Sequence, residues 1–286
     1  MKASILKLLS LVLVCFLLLP LVFSCGEENS NENGGETELQ RFEKLSEKEK
    51  AFYILTNDFD IEKSRVDTTA NISCKYMGYS LVASLVGSTF EMDTDEEYFL
   101  YSEETLSMTI AGSSQVVLAK AGYSDGKEFQ YTATNGSGKG YYAETTDDAY
   151  RQKRKEQIEN GPDDDFGLTQ ENCKTITCVQ NSHGGWAATF TDIDKDSLGA
   201  FKKFIDMSFT GLIDSETLTG ATLEVCISSN LKPVSIKIDF EFSDASTELT
   251  VEGKYTVDND VELPKVDLTG YTKKSSLDDD SPSTGI

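Results

Sequence analysis

The chain has 286 residues, with 49 acidic side chains against 26 basic ones and a single His, a formal net charge of -23. Such a polyanion is repelled by nucleic acid and by anionic headgroups, which excludes nucleic acid as a partner. With 38% apolar and 10% aromatic residues it can still bury a core, and its length suits one large domain or two small ones.

Lys2 and Lys7 are the only charges in the first 24 residues, and they precede an uncharged, mostly apolar run from Leu8 to Phe23 broken by Pro20. The run ends in Val22-Phe23-Ser24-Cys25. A basic end, an apolar stretch short of the roughly 20 residues that a span requires, and a small residue before a thiol resemble a bacterial lipoprotein signal with its lipobox, although Phe23 is bulkier than usual. The expectation is a signal peptide over 1–24 and an acylated Cys25, carrying palmitate or similar chains, as the membrane anchor. The product starting at Cys25 has 24 basic and 49 acidic residues, a net charge of -25. Its expected place is the bacterial cell envelope, lipid-anchored on the extracytoplasmic side of a membrane. Gly26 to about Gln40 is rich in Gly, Asn, Ser and Glu, so 25–44 reads as a flexible tether and 45–271 as the folded domain.

Ser46-Glu47-Lys48-Glu49 is a capping-box pattern that opens a helix with Phe52, Leu55 and Phe59 on one face. Period-two alternation then predicts strands at Val66–Tyr76, Leu81–Met92, Tyr98–Ile110, Val116–Tyr123, Glu128–Thr134 and Lys139–Thr145. Asp147 to Asn160 predicts a helix with few apolar residues, read as a mobile surface flap whose Arg151, Lys153, Arg154 and Lys155 form the one basic cluster. Strands follow at Cys173–Val179 and Trp186–Ile193. A helix from Asp196 to about Leu212 carries Phe201, Phe204 and Ile205 at helical spacing. The series closes with a meander through Leu223–Ile227, Val234–Phe242 and Leu249–Val257. The tail over 272–286 lacks apolar periodicity and reads as disordered. About eleven strands and two or three helices imply a mainly β fold, a single curved antiparallel sheet or half-barrel with the helices on its apolar face.

Motifs that suggest chemistry are incomplete. Gly136-Ser137-Gly138-Lys139-Gly140 lacks the upstream Gly and the Ser or Thr of a phosphate loop, and it lies between strands. Asp192-Ile193-Asp194-Lys195-Asp196 begins like a calcium loop, but Ser197 and Lys203 stand where its Gly and Glu belong. His183-Gly184-Gly185-Trp186 resembles an esterase oxyanion loop without a nucleophile elbow. Asp163-Asp164-Asp165 reads most simply as a solvated loop, with weak cation binding as the alternative. The reading is therefore a non-enzyme with no cofactor, no metal and no catalytic residue. Cys74, Cys173, Cys178 and Cys226 leave disulfides and free thiols both open; strand parity puts Cys74 and Cys178 on the apolar face and Cys173 and Cys226 on the wet one.

The Asp-Gly hairpin Tyr123-Ser124-Asp125-Gly126-Lys127-Glu128-Phe129-Gln130-Tyr131, the capped first helix and the late meander together resemble the LolA and LppX-like exported lipoproteins, whose incomplete barrel is closed by helices. The resemblance covers about 200 residues of layout, and the segment from Asp147 to Gly167 departs from the simplest members. It implies a hollow that takes a lipid or another apolar ligand. The apolar positions placed to line it are Ile236, Ile238, Phe240, Val251 and Tyr255 of the sheet, with Phe201, Ile205 and Leu212 of the helix. The alternative is an acidic surface lipoprotein that meets a protein partner and has no ligand cavity.

Overall fold

Alternation of apolar and polar side chains along the chain builds one sheet of twelve strands, and the helices sit on its apolar face, called here the inner face. The computed structural model describes residues 37–277 apart from 58, 60, 77, 160–165 and 210–212, so the expected anchor at Cys25, the Asp163 to Asp165 run and Leu212 lie outside the described residues.

The first six strands are β1 (Lys63–Tyr76), β2 (Tyr79–Asp93), β3 (Tyr98–Ile110), β4 (Ser113–Ser124), β5 (Lys127–Thr134) and β6 (Ser137–Glu144). They form a hairpin-linked meander. The second set is β7 (Cys173–Gln180), β8 (Trp186–Ile193), β9 (Leu218–Ile227), β10 (Pro233–Phe242) and β11 (Glu248–Val257), followed by the two-residue β12 (Thr272–Lys273). In space the order is β12-β6-β5-β4-β3-β2-β1-β11-β10-β9-β8-β7, so the two meanders join where β1 pairs with β11. Every pairing is antiparallel except that of β12 with β6, and the sheet does not close. The Asp125-Gly126 and Asn135-Gly136 hairpins both run at positive φ through their central residues, 51° and 73° in the first and 48° and 83° in the second, which Asp, Asn and Gly tolerate best. The phosphate-loop look-alike is thus the β5–β6 hairpin.

Four helices are described: α1 (Glu38–Glu43), α2 (Glu47–Thr56), α3 (Asp147–Glu159) and α4 (Gly199–Ser208), the last entered through a 3-10 turn at Lys195–Ser197. The capping box at α2 is formed, with the Ser46 N–H donating to Glu49 Oε2 at 2.8 Å and the Glu49 N–H to Ser46 Oγ at 3.4 Å. These bonds hold the Glu49 carboxyl below its ordinary range.

The last part of the expected tether is helical. Thr37 and Gln40 form a second capping box that opens α1. Phe42 is fully buried, its ring 4.9 Å from that of Trp186, and the Tyr53 hydroxyl donates to Glu38. The fold therefore already includes Thr37 to Lys44, ahead of the expected start at Leu45. The other end is corrected in the same sense: Thr272 and Lys273 pair with Tyr141 and Tyr142, and Leu277 is buried. Tyr271 explains this docking, because its ring lies over Gly140, where a Cβ would come within 2.6 Å of it.

The expected flap is a fastened helix. Asp147 accepts from the Tyr123 hydroxyl and from the Tyr98 N–H at 3.1 Å, bonds that hold its carboxyl below the usual carboxylate range. Arg151 pairs with Asp93 at 3.0 Å and donates to the Thr94 carbonyl at 2.6 Å, and Lys153 pairs with Glu128 at 2.7 Å. Arg154 and Tyr150 are buried, the Tyr150 ring stacked 4.8 Å from Tyr123. Arg151 and Lys153 thus answer acidic strand residues rather than contributing to a free patch.

Candidate functional site: a buried polar band on the inner face

The inner face has three parts. Over β7 to β11 and the adjoining ends of β1 to β4 it belongs to one large apolar cluster with α1, α2 and α4. The sheet positions expected to line a hollow fall here: Ile236, Ile238, Phe240 and Val251 are buried and Tyr255 packs beside them half-buried. Phe201 and Ile205 of α4 are fully buried in the same cluster. Helix and sheet meet directly, with the Phe201 and Phe240 ring centroids 6.2 Å apart and the Phe204 and Phe240 rings stacked at 5.9 Å. At Phe240 the interior is filled by aromatic side chains.

At the opposite end of β3 and β4, a small cluster of Tyr98, Leu100, Tyr123 and Tyr150 sits under α3. The Tyr98 hydroxyl donates to Glu91 at 2.6 Å, and burial first, then Glu91, raises its pKa. Burial together with the bond to Asp147 pushes the Tyr123 phenol up to about 12. These phenols are held protonated, and the Tyr98 and Tyr123 contacts fasten α3.

Between the two apolar clusters runs a largely buried band that meets the larger cluster at Tyr255. Strand register sets Gly253, Thr68, Gly87, Glu104 and Ala119 side by side across β11, β1, β2, β3 and β4. The next row holds Tyr255, Val66, Thr89, Ser102 and Ala121. Gly87 is needed: a Cβ there would lie 2.8 Å from Glu104 Cγ, so the glutamate side chain occupies the space that the glycine leaves. Glu104 is 5% exposed. The Thr89 hydroxyl donates to Ser102 Oγ at 3.2 Å, and Ser102 Oγ donates to Glu104 Oε1 at 3.4 Å. Among the described residues, Glu104 Oε2 has no partner. Burial drives the Glu104 pKa up to about 8, against the smaller opposing effect of the Ser102 bond. The raised pKa favours the protonated acid, and with Ser102 donating to Oε1 the proton is left to Oε2. An unsatisfied buried donor of this kind costs about 1–3 kcal/mol. Chemically the band offers one hydrogen-bond donor on a floor of small side chains, bounded on both sides by apolar ones.

Sequence reasoning about lining residues did not single out Glu104, although its signal is present. Tyr98, Leu100, Ser102, Glu104, Leu106 and Met108 share one parity on β3, so a glutamate falls in phase with apolar residues.

The remaining look-alikes are accounted for locally. His183 is exposed in the β7–β8 turn, its N–H donating to Asn181 Oδ1 at 2.9 Å. Asp192 accepts from Thr175 Oγ1 at 2.6 Å and Asp194 pairs with Lys174 at 2.9 Å. The four described cysteines are free thiols. Parity holds for Cys74, buried in the core, and fails for Cys173, which is also buried there. The reason is Asp192: its φ of 54° interrupts the alternation of β8, so that Ile193 and its register partner Cys173 join Phe190 in the core. A groove of about 600 Å³ at the β6 edge, between α3 and Ser275–Leu277, mixes Glu128, Glu144 and Glu156 with Lys153. Glu128 is satisfied by Lys153 and Glu144 by Lys273 at 2.6 Å, so the groove presents no unanswered group of comparable burial.

No protein-family model and no curated protein matches the chain. Among solved structures it is similar to a DUF1329 family protein from Desulfovibrio piger, at 11% sequence identity and a TM-score of 0.24, over 74% of this chain and 90% of that one.

Proposed function

We propose that the chain is an exported lipoprotein, held to the extracytoplasmic side of a bacterial membrane by acylated Cys25, whose half-barrel sequesters a lipid or another apolar ligand against its inner face. The observation that carries the ligand is the buried band around Glu104, because a carboxylic acid shut away from water with an idle donor calls for a polar atom to meet it. Ala119 and Ala121 put small side chains beside the acid, between Leu85, Leu106 and Val117 on one side and Leu100 and Tyr123 on the other. The anchor rests on the basic start, the short apolar run and the lipobox-like residues before Cys25, and the layout shared with LolA and LppX-like proteins supports the same reading. No enzymatic activity and no cofactor is part of it. Native mass spectrometry of the protein purified from its own organism is the test: an adduct of lipid mass supports sequestration, and a homogeneous ligand-free protein opposes it.

A second reading has one observation in its favour. The rings of Phe201, Phe204 and Phe240 fill the interior under α4, as a closed core does. On that reading the acidic surface meets a cationic protein partner. A protein that is ligand-free by mass and becomes crosslinked in cells to a basic protein would favour it.

A further inference from the structure

We propose that Glu104 is the polar anchor of the ligand, and that it selects amphiphiles whose head is an uncharged hydrogen-bond acceptor, such as an ester carbonyl, over anionic, cationic or purely hydrocarbon ones. This inference rests on the ligand-binding reading above and adds the headgroup chemistry.

The hydrogen-bond directions decide the class. Ser102 already occupies Glu104 Oε1, and the Ser102 hydroxyl is itself supplied by Thr89, so the relay runs one way, toward the glutamate. The only unmet valence at its end is on Oε2. A protonated carboxyl can fill it by donating its O–H, which a carbonyl, ether or hydroxyl oxygen accepts. An anionic head has no counter-charge here: burial and the Ser102 bond are the only influences resolved on the carboxyl, and no cation is among them. The chain's net charge of -23 opposes anions further.

The band also sets the direction of the tail. From Gly253 to Ala119 the row crosses five strands, four spacings or roughly 19 Å at the usual inter-strand distance. An acyl chain lying across the strands from Glu104 runs beside Leu85, Leu106 and Val117 on one flank.

The experiment uses the full chain carrying Cys25→Ser, and four probes with the same C16 tail: 1-monopalmitoylglycerol, hexadecane, palmitate and hexadecylamine. Binding is measured by calorimetry near neutral pH. The expected result is tightest binding of the monoacylglycerol, by tenfold or more over hexadecane. Glu104→Leu should abolish that preference while leaving hexadecane binding in place, and Glu104→Gln, whose amide can donate, should restore most of it. If no probe binds, the ligand-binding reading itself falls. If probes bind but the monoacylglycerol has no advantage over hexadecane in the wild type, the headgroup inference falls alone, whether or not the Leu variant folds. Tighter binding of hexadecylamine or palmitate would overturn the donor role directly, since either needs a charged partner where the inference places a neutral one.

Discussion

Glu104 and Gly87 form a single packing unit on neighbouring strands: the glutamate side chain fills the place where a Cβ on residue 87 would stand, 2.8 Å from Glu104 Cγ. The Glu103 carbonyl lies 3.2 Å from the same point, so an added methyl meets backbone as well as side chain. Gly87→Ala should therefore cost about 1–3 kcal/mol in chemical denaturation, as overpacking does. Adding Glu104→Ala should recover part of that loss, because it removes one of the two clashing groups. Additive effects in this double-mutant cycle would mean that the two residues do not share the space.

The same carboxyl gives stability a defined pH dependence. Its folded pKa of about 8 lies above the ordinary 4.5, so across that interval the folded chain holds a proton that the unfolded chain has released. Stability then falls as pH rises through the window, by up to about 1.4 kcal/mol per unit. The contribution is complete below 4.5 and gone above about 8. Carboxyls whose pKa values are lowered by their partners, among them Glu103 with Lys120 and Tyr101 and Asp147 with Tyr123, act in the opposite sense and only at more acid pH. Urea unfolding from pH 5 to 8 should show the decline in the wild type and a flatter curve in Glu104→Gln. Equal slopes would exclude Glu104 as the source.

How much of this was legible in the sequence depends on the range of the interaction. Alternation reports which face a strand buries, and β3 and β8 run over the residues that periodicity predicts, Tyr98–Ile110 and Trp186–Ile193. Helix α1 escaped because Phe42 is its only buried residue, even though Thr37 and Gln40 carry the same capping signal as Ser46 and Glu49. Cys173 was misplaced because one left-handed residue, Asp192, resets a parity that is counted from a distance. Glu104 could be found by counting along β3. The pairing of Tyr271 with Gly140 could not, since nothing local to either residue announces a contact 131 positions away.

Fastening of α3 makes a prediction opposite to that of a loose flap. Trypsin should cut slowly at Arg151, Lys153 and Arg154, which are paired or buried, with Lys155 the most accessible of the four. Asp147→Ala removes the acceptor for both the Tyr98 N–H and the Tyr123 hydroxyl, a loss of about 1–2 kcal/mol in local opening. Cleavage within the helix should then accelerate about fivefold to thirtyfold, read by mass spectrometry of the first fragments. Rapid cutting in the wild type would mean that these contacts do not hold the helix in solution.

The filled half of the interior is tested at Phe240, whose ring meets Phe201, Phe204 and Phe242. Replacement by Trp adds volume where three aromatic neighbours already stand, and an inner face packed to this degree has no slack to absorb it. Phe240→Trp should lower stability by about 1–3 kcal/mol. The ligand band lies in rows nearer α3, and Glu104, Ser102 and Thr89 at its centre are outside the cluster that holds Phe240. Monoacylglycerol binding by the folded fraction should therefore change less than threefold. A stable Trp variant with weakened binding would instead place the ligand under α4, among the residues that the apolar pattern first suggested.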